Sequence, residues 1–233
     1  MTRCGAVVVA AGSSRRMGLR DKTVELLRGK LVVAWVLSAL AAVPAIEQIV
    51  VVTGAGNEGA VASAIGGCPF RGRVATCPGG ATRAASVAAG VAALDEQVDL
   101  VLVHDAARPL VTTAMCVDGI HRAEACGAAV AAVPVSDTIK RVDAAHRVIE
   151  TLPRDELYAV QTPQVFRREW LEAAYRACPD GFTWATDEAA LLERAGFTVE
   201  VFPGSSENLK LTTPTDLLVA EALLARRAAP PQP

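Results

Sequence analysis

The sequence has few aromatic residues, 4% of its 233 positions, although 52% of them are hydrophobic. Its core must therefore be built from alanine, valine and leucine, which suits short buried strands covered by alanine-rich helices. The length fits one large α/β domain. The formal net charge is only −2, so a broadly basic surface is excluded and nucleic-acid binding has little support. Any phosphate chemistry must depend on a local basic cluster.

Features of a secreted, zinc-binding or membrane protein are also missing. The six cysteines include no C-x-x-C pair and no cysteine–histidine spacing suited to zinc. We expect them to be reduced side chains in a cytoplasmic protein. The apolar run at residues 6–11 is too short for a signal peptide and is followed by charged residues. No window approaches the length of a membrane span, so we expect no membrane partner.

Apolar segments alternate with helical patterns along most of the chain. The alternation predicts a doubly wound, mostly parallel sheet in the α/β class. Strands are predicted at residues 3–10, 46–53, 74–77, 100–104, 128–134, 197–202 and 208–211. Helices are predicted at 31–42, 58–65, 112–126, 167–178, 187–195 and from 213, and a further helix follows the glycine turn at 79–80 and runs to about 94. Ligands bind beyond the carboxyl ends of the strands in such sheets, and Gly12 and Asp105 both fall there.

Residues 135–162 depart from this pattern. Polar and apolar residues alternate on both sides of a turn at residues 143–145, which predicts an exposed β-hairpin. An isolated hairpin is only marginally stable, so we expect it to be an arm that packs on a second subunit of a homodimer. Residues 1–227 are predicted to form one domain that carries this arm, and residues 228–233 a disordered tail.

Small and basic residues follow the first predicted strand. Gly12 would let the backbone approach a phosphate, and Arg16 and Lys22 supply positive charge. Neither the dinucleotide pattern G-x-G-x-x-G nor the P-loop pattern G-x-x-x-x-G-K-[ST] is present. The combination predicts a polyphosphate-binding loop, with a tight βα turn and ordinary solvated charges as the alternative.

Three further groups of polar residues extend the candidate site. Asp105 follows a strictly apolar strand and is the candidate Mg²⁺ ligand, with turn capping as the alternative role. Gly80, Arg83 and Ser86 lie at a glycine turn that opens a helix, where free amides bind anions. His104 is expected to be packed or hydrogen-bonded. Hydroxyls and cations suited to a second phosphate-bearing substrate are Thr138, Arg154, Thr162 and Lys210.

Seven blocks of residues occur together and in order over nearly the whole chain. They are Ala-Ala-Gly-x-x-x-Arg-Met-Gly at 10–18 with Lys22, Gly-Gly-x-x-Arg-x-x-Ser at 79–86, His-Asp-Ala-Ala-Arg-Pro at 104–109, Asp-Thr-x-Lys at 137–140, Gln-Thr-Pro-Gln at 161–164, Thr-Asp-Glu-Ala at 186–189 and Asn-x-Lys-x-Thr at 208–212. With these blocks the chain resembles the 2-C-methyl-D-erythritol 4-phosphate cytidylyltransferase family of the non-mevalonate isoprenoid pathway. It departs from the family pattern where Asp21-Lys22-Thr23 replaces the usual Pro-Lys-Gln, and at Ala81, where an acidic residue is common.

The resemblance implies a Rossmann-like nucleotidyltransferase fold, CTP and a sugar-alcohol phosphate as substrates, Mg²⁺ held by Asp105, and a homodimer that exchanges its arms. Arg16 and Lys22 would stabilise charge on the α-phosphate. Arg154 and Lys210 would act in catalysis and, with Thr138 and Thr162, hold the acceptor. The nucleotide-binding positions would be Ala10, Ala11, Gly12, Gly80, Arg83, Ser86, Asp105 and Ala106.

Other functions stay open at this level. A ribitol 5-phosphate cytidylyltransferase resembles the chain in its glycine loops, but that group tends to have a bulkier residue before Arg-Pro. A nucleotide-binding regulatory protein without turnover would account for the two departures from the family pattern. A dehydrogenase is a further option, for which NAD binding would be required.

Overall fold

The computed structural model describes residues 2–12, 21–178 and 185–228. A seven-stranded sheet runs through the centre of the molecule. From one edge to the other its strands are β11 (Glu200–Pro203), β7 (Ala128–Pro134), β10 (Tyr158–Arg167), β6 (Leu100–Asp105), β1 (Cys4–Val9), β4 (Ile46–Thr53) and β5 (Arg73–Pro78). In this sheet only β10 is antiparallel to its neighbours. The mostly parallel α/β fold predicted from the sequence is confirmed.

Helices cover both faces of this sheet. One face is covered by α1 (Val32–Ala41), α2 (Glu58–Gly66) and α4 (Thr113–Cys126), and the other by α3 (Arg83–Ala92), α5 (Arg168–Arg176) and α6 (Glu188–Arg194). Along β1, Ala6 and Val8 face the first layer while Val7 and Val9 face the second. Strands that are buried on both faces must be apolar throughout, which explains the continuous hydrophobic runs in the sequence.

The remaining elements lie beside the sheet. A short hairpin of β2 (Leu26–Leu27) and β3 (Lys30–Leu31), absent from the sequence prediction, shares a separate apolar cluster with α7 (Pro214–Ala228). The arm is formed by β8 (Lys140–Val142) and β9 (Val148–Thr151). No helix in the described ranges is both long enough and apolar enough to span a bilayer.

The order of the strands positions the candidate site. The chain passes from β1 to β4 and β5 on one side and then returns to place β6 on the other side of β1. The gap between β1 and β6 is therefore the topological switch point, where doubly wound sheets bind ligands. Val9 at the end of β1 is in register with Asp105 at the end of β6. The residues that follow these two strands consequently meet at the carboxyl ends of the parallel strands.

The structure corrects the predicted extent of the arm, which was residues 135–162. Residues from Tyr158 onwards belong to β10, which pairs with both β6 and β7. A proline inside a run argues against a central strand because it cannot donate a ladder hydrogen bond. Pro163 is tolerated because it lies where the pairing of β10 with β7 shifts register, between Val160 and Gln164.

Two smaller predictions near the carboxyl terminus were also wrong. Residues 208–211 form no strand, although the Leu211 N–H donates a single hydrogen bond to the Ala107 carbonyl. Ala228, assigned to the tail, is the last residue of α7. The rest of the predicted tail, residues 229–233, lies outside the described residues.

Candidate active site

A cleft at the carboxyl ends of β1 and β6 is divided into two compartments. The larger compartment, about 410 Å³, is lined by Gly12, Lys22, Gly80 and Ser86, among others. The smaller compartment, about 210 Å³, is lined by residues that include Arg108, Gln161, Thr162, Gln164 and Asp187. Arg83, Asp105 and Lys210 line both. A bigger cavity of about 680 Å³ lies near Asp99 and Arg168, at the amino-terminal end of β6. None of the predicted site residues that the structure describes lines it.

We call Arg83, Asp105 and Lys210 the charged wall. Arg83 Nη2 lies 3.3 Å from Asp105 Oδ1, and Lys210 Nζ lies 2.6 Å from Asp105 Oδ2. Burial by itself would raise the pKa of the Asp105 carboxyl, but the charges of Arg83 and Lys210 hold that pKa well below its ordinary value. The carboxylate is therefore ionised at neutral pH and has a cation on each oxygen. In the structure Asp105 is the ion-pair partner of Arg83 and Lys210, at the boundary between the two compartments.

The other end of the Arg83 guanidinium is held by a buried acid. Arg83 Nη1 lies 2.7 Å from Oε2 of Glu188, whose side chain is fully buried at the start of α6. Burial raises the pKa of the Glu188 carboxyl, and the Arg83 charge opposes this rise. Two carboxylates thus fix the orientation of one arginine, which faces both compartments.

The glycine turn before α3 closes against the end of β1. The Gly80 N–H donates to Ser86 Oγ at 3.1 Å, and Thr82 Oγ1 caps the helix by accepting from the Ala85 N–H at 3.1 Å. A Cβ at Gly79 would lie 2.3 Å from the Ala11 Cβ, so this close approach requires glycine. The turn thereby brings Gly80, Arg83 and Ser86 to the larger compartment.

Two of the predicted nucleotide-binding residues lie beneath the cleft. The Ala10 N–H donates to the Val52 carbonyl at 2.8 Å, and the Ala106 N–H donates to the Val9 carbonyl at 3.0 Å. Both alanines are buried, and neither lines a compartment. They form the floor of the cleft, while Ala11 and Gly12 reach the larger compartment.

The smaller compartment rests on a hydrogen-bond network centred on Thr162. Thr162 Oγ1 accepts from the Asp105 N–H at 3.1 Å and lies 3.0 Å from His104 Nδ1, and His104 Nε2 lies 3.1 Å from the Arg108 carbonyl. Because a carbonyl can only accept, Nε2 carries the proton and Nδ1 accepts from the threonine hydroxyl. Burial lowers the pKa of His104 to about 4, so the imidazole is neutral. It supports Thr162, in line with the packed role expected from the sequence.

Sequence reasoning assigned no role to several residues that the structure brings to this site. Asn208 Nδ2 donates to the Thr162 carbonyl at 2.8 Å, and Arg108 Nη1 donates to the Asn208 carbonyl at 2.7 Å. Gln164 Nε2 donates to Asp187 Oδ2 at 2.8 Å. These residues, like Glu188, belong to the seven blocks. Their position in these blocks could have identified them as candidates. The spacing within a block, however, does not show which residues face the cleft.

Two candidate residues of the arm lie away from both compartments. Thr138 and Arg154 are exposed, and Arg154 Nη1 donates to the Ser136 carbonyl at 3.1 Å. Within one chain they line neither compartment. Arg16 lies outside the described residues. Lys22, by contrast, lines the larger compartment.

Among the described residues, Asp105 is the candidate ligand for Mg²⁺ at this cleft. Across the ranges that the structure describes, no group of three or more histidine, cysteine, aspartate and glutamate side chains could hold a metal ion. Asp105 is ionised and borders the larger compartment. Mg²⁺ on a nucleotide takes one or two carboxylates together with phosphate oxygens and water. Asp105 fits this arrangement as a single carboxylate ligand, although Arg83 and Lys210 each pair with one of its oxygens.

The chain is similar to one protein family over nearly its full length. The family model described as 2-C-methyl-D-erythritol 4-phosphate cytidylyltransferase matches residues 4–226. A relative of that name from Dehalococcoides mccartyi is 44% identical over 224 residues, which cover 96% of this chain and 97% of the relative. Another from Frankia casuarinae is 44% identical over 96% of this chain and 82% of the relative.

Solved structures show the same similarity. The structure of 4-diphosphocytidyl-2C-methyl-D-erythritol synthase from Anaerococcus prevotii superposes with a TM-score of 0.85 at 29% identity and covers 97% of this chain and 99% of its own. The 2-C-methyl-D-erythritol 4-phosphate cytidylyltransferase of Thermus thermophilus superposes with a TM-score of 0.77 at 31% identity, with 97% and 100% coverage.

Proposed function

The chain belongs to the 2-C-methyl-D-erythritol 4-phosphate cytidylyltransferase family, and we propose from this premise how its divided cleft performs the reaction. The enzyme is a nucleotidyltransferase that transfers CMP from CTP to 2-C-methyl-D-erythritol 4-phosphate in isoprenoid precursor synthesis. The products are 4-diphosphocytidyl-2-C-methyl-D-erythritol and pyrophosphate. The observation that carries the proposed arrangement is the charged wall, which faces both compartments.

CTP occupies the larger compartment in this proposal. This compartment has about twice the volume of its neighbour, and it opens between Gly12 and the glycine turn before α3. The amino-terminal end of α3 lies at this compartment, and the positive end of its helix dipole suits the phosphates. Lys22, with Arg16 from the preceding segment, would stabilise charge on the α-phosphate.

The acceptor phosphate occupies the smaller compartment, where Lys210 offers a cation and Thr162, whose hydroxyl donates to His104, forms part of the lining. Thr138 and Arg154 would reach this compartment from the arm of a second copy, because they lie outside it within their own chain. The apolar side chains of Val148 and Ile149 on the arm are 60% and 62% exposed. A hairpin this exposed needs a partner surface, which supports a homodimer.

The reaction needs no general base, because the acceptor is already an ionised phosphate. An acceptor oxygen attacks the α-phosphorus in line, a new P–O bond forms, and the bond to the β-phosphate oxygen breaks to release pyrophosphate. Catalysis then consists of positioning and charge stabilisation. The neutral, buried His104 takes no part in proton transfer. Mg²⁺, when bound, neutralises triphosphate charge, and Asp105 is the residue that would hold it.

A location in the cytoplasm is part of the same proposal. All six cysteines are free thiols in the structure, and three of them are buried. Unpaired cysteines of this kind suit a reducing compartment.

The test is a matrix of nucleotides and acceptors followed by pyrophosphate release. We expect turnover with CTP and 2-C-methyl-D-erythritol 4-phosphate. Turnover with ribitol 5-phosphate in its place would favour the related cytidylyltransferase. Binding of CTP and Mg²⁺ with no pyrophosphate from any acceptor would favour a regulatory protein. NAD binding would be required for a dehydrogenase.

A further inference from the structure

The segment Asp21-Lys22-Thr23 departs from the usual family residues. Hydrogen bonds hold it in place on both sides of Lys22. Asp21 Oδ1 accepts hydrogen bonds from the Thr23 N–H at 2.9 Å and from the Thr23 hydroxyl at 2.8 Å. Asp21 Oδ2 accepts from Asn57 Nδ2 at 2.7 Å. The Val24 N–H also donates to the Asp21 carbonyl at 3.1 Å. The backbone on either side of Lys22 is thereby held in a tight turn.

Asn57 connects this turn to the carboxyl ends of two neighbouring strands. Its Nδ2 also donates to the Ala10 carbonyl at 3.0 Å, and its Oδ1 accepts from the Gly54 N–H at 3.0 Å. Ala10 follows β1 and Gly54 follows β4, so one buried amide side chain joins both strand ends to Asp21. Every polar atom of the Asn57 side chain is used in these bonds.

A second anchor fixes the turn from the other direction. The Thr23 carbonyl accepts from the Val33 N–H at 2.9 Å, in the first turn of α1. The turn is consequently attached both to the strand ends and to the start of a helix. Lys22, between the two attachments, lines the larger compartment.

We propose that Asn57, Asp21 and Thr23 form a brace that positions Lys22 for the transfer step. The inference rests on the proposed function of Lys22 at the α-phosphate. A lysine side chain has several rotatable bonds, so its ammonium can reach many positions. Fixing the backbone at Lys22 limits these positions to those near the α-phosphate, which leaves less freedom to be lost in the transition state. Asp21 and Thr23 are positioning residues that act through Lys22.

The test is a double-mutant cycle of Asp21→Ala and Lys22→Ala, with pyrophosphate release as the readout. We expect Lys22→Ala to lower kcat about a hundredfold and Asp21→Ala to lower kcat about tenfold with little change in the KM for CTP. In the Lys22→Ala background, Asp21→Ala should have less than about a twofold further effect, because coupled residues are not additive. A merely structural role would lower activity by the same factor in both backgrounds.

Thr23→Val and Thr23→Ser form a matched pair that guards against a folding artefact. Valine keeps the shape but removes the hydroxyl bond to Asp21, so it should lower kcat, whereas serine should retain it, with thermal unfolding midpoints within a few degrees. Wild-type kcat in both Asp21→Ala and Thr23→Val, or full additivity in the cycle, would overturn the brace. An inactive wild-type protein would instead overturn the proposed function, so the two failures are distinguishable.

Discussion

Replacing Arg83 with methionine should destabilise the protein through the acid left behind. Glu188 is fully buried, and its Oε2 is paired with Arg83 at 2.7 Å. Asp105 would keep Lys210, but Glu188 would lose its ion-pair partner. Removing one partner of a buried ion pair typically costs about 3–5 kcal/mol, because an uncompensated charge remains. We expect Arg83→Met to lower the free energy of unfolding by an amount in this range.

The loss should depend on pH in a defined direction. Burial already raises the pKa of Glu188, and Arg83 is the group that opposes the rise. In the variant that pKa rises further, so the folded state binds a proton more tightly than the unfolded state. A group with a raised folded pKa stabilises the protein fully below its unfolded pKa and loses this contribution as pH rises through the folded pKa. The deficit of Arg83→Met relative to wild type should therefore shrink as the pH falls toward 4.5.

Urea denaturation followed by circular dichroism measures these differences, with every variant compared with wild type at the same pH. Adding Glu188→Gln to Arg83→Met should recover about 2 kcal/mol, because the buried charge is gone. The matched control is Arg73→Met, which removes an exposed pair with Asp95 and should change stability by less than about 1 kcal/mol. A deficit for Arg83→Met no larger than that of the control, or no recovery on adding Glu188→Gln, would refute the reasoning.

Three further predictions concern a buried base, the arm and a helix–sheet contact. Burial holds the pKa of His104 near 4, so its contribution to stability is complete above the unfolded value of about 6.5 and falls by about 3 kcal/mol as the pH drops toward 4. His104→Gln should show a flatter dependence of the urea midpoint on pH over this window, and an unchanged slope would contradict the assignment. Serine at both Val148 and Ile149 should weaken the proposed homodimer without unfolding the domain, which analytical ultracentrifugation and circular dichroism would detect; an unaltered association state would exclude the arm as its contact. A Cβ at Gly90 would lie 2.4 Å from Val7 Cγ1, so Gly90→Ala should destabilise by about 1–3 kcal/mol in urea denaturation, and a neutral result would show that α3 can move away from β1.

Local sequence patterns alone predicted most strands of the sheet. The strand at Ile46–Thr53 and that at Ala128–Pro134 have the predicted bounds, because a strand buried on both faces is apolar along its whole length. The glycine turn before Arg83 was equally visible, since a close backbone approach and a capped helix start have recognisable residues. These features depend on neighbours in the sequence.

β10 could not be predicted in the same way. Its sequence contains Pro163 and begins with exposed residues, which resemble those of the preceding hairpin. Only its pairing with β6 and β7, strands that precede it in the chain, makes it a central strand. A local pattern carries no information about pairing with distant strands. The predicted arm therefore included the first residues of β10.

The sequence by itself determined the class of fold, the family and several of the polar residues that line the cleft, among them Lys22, Arg83 and Asp105. Tertiary structure decided which of these residues touch. Arg83, Asp105 and Lys210 are far apart in the chain, and the strand order brings them into one charged wall. Asp21, which the sequence marked only as a departure from the family pattern, bonds to Asn57. Spacing along a chain constrains contacts within an element, whereas contacts between elements depend on how the whole sheet is wound.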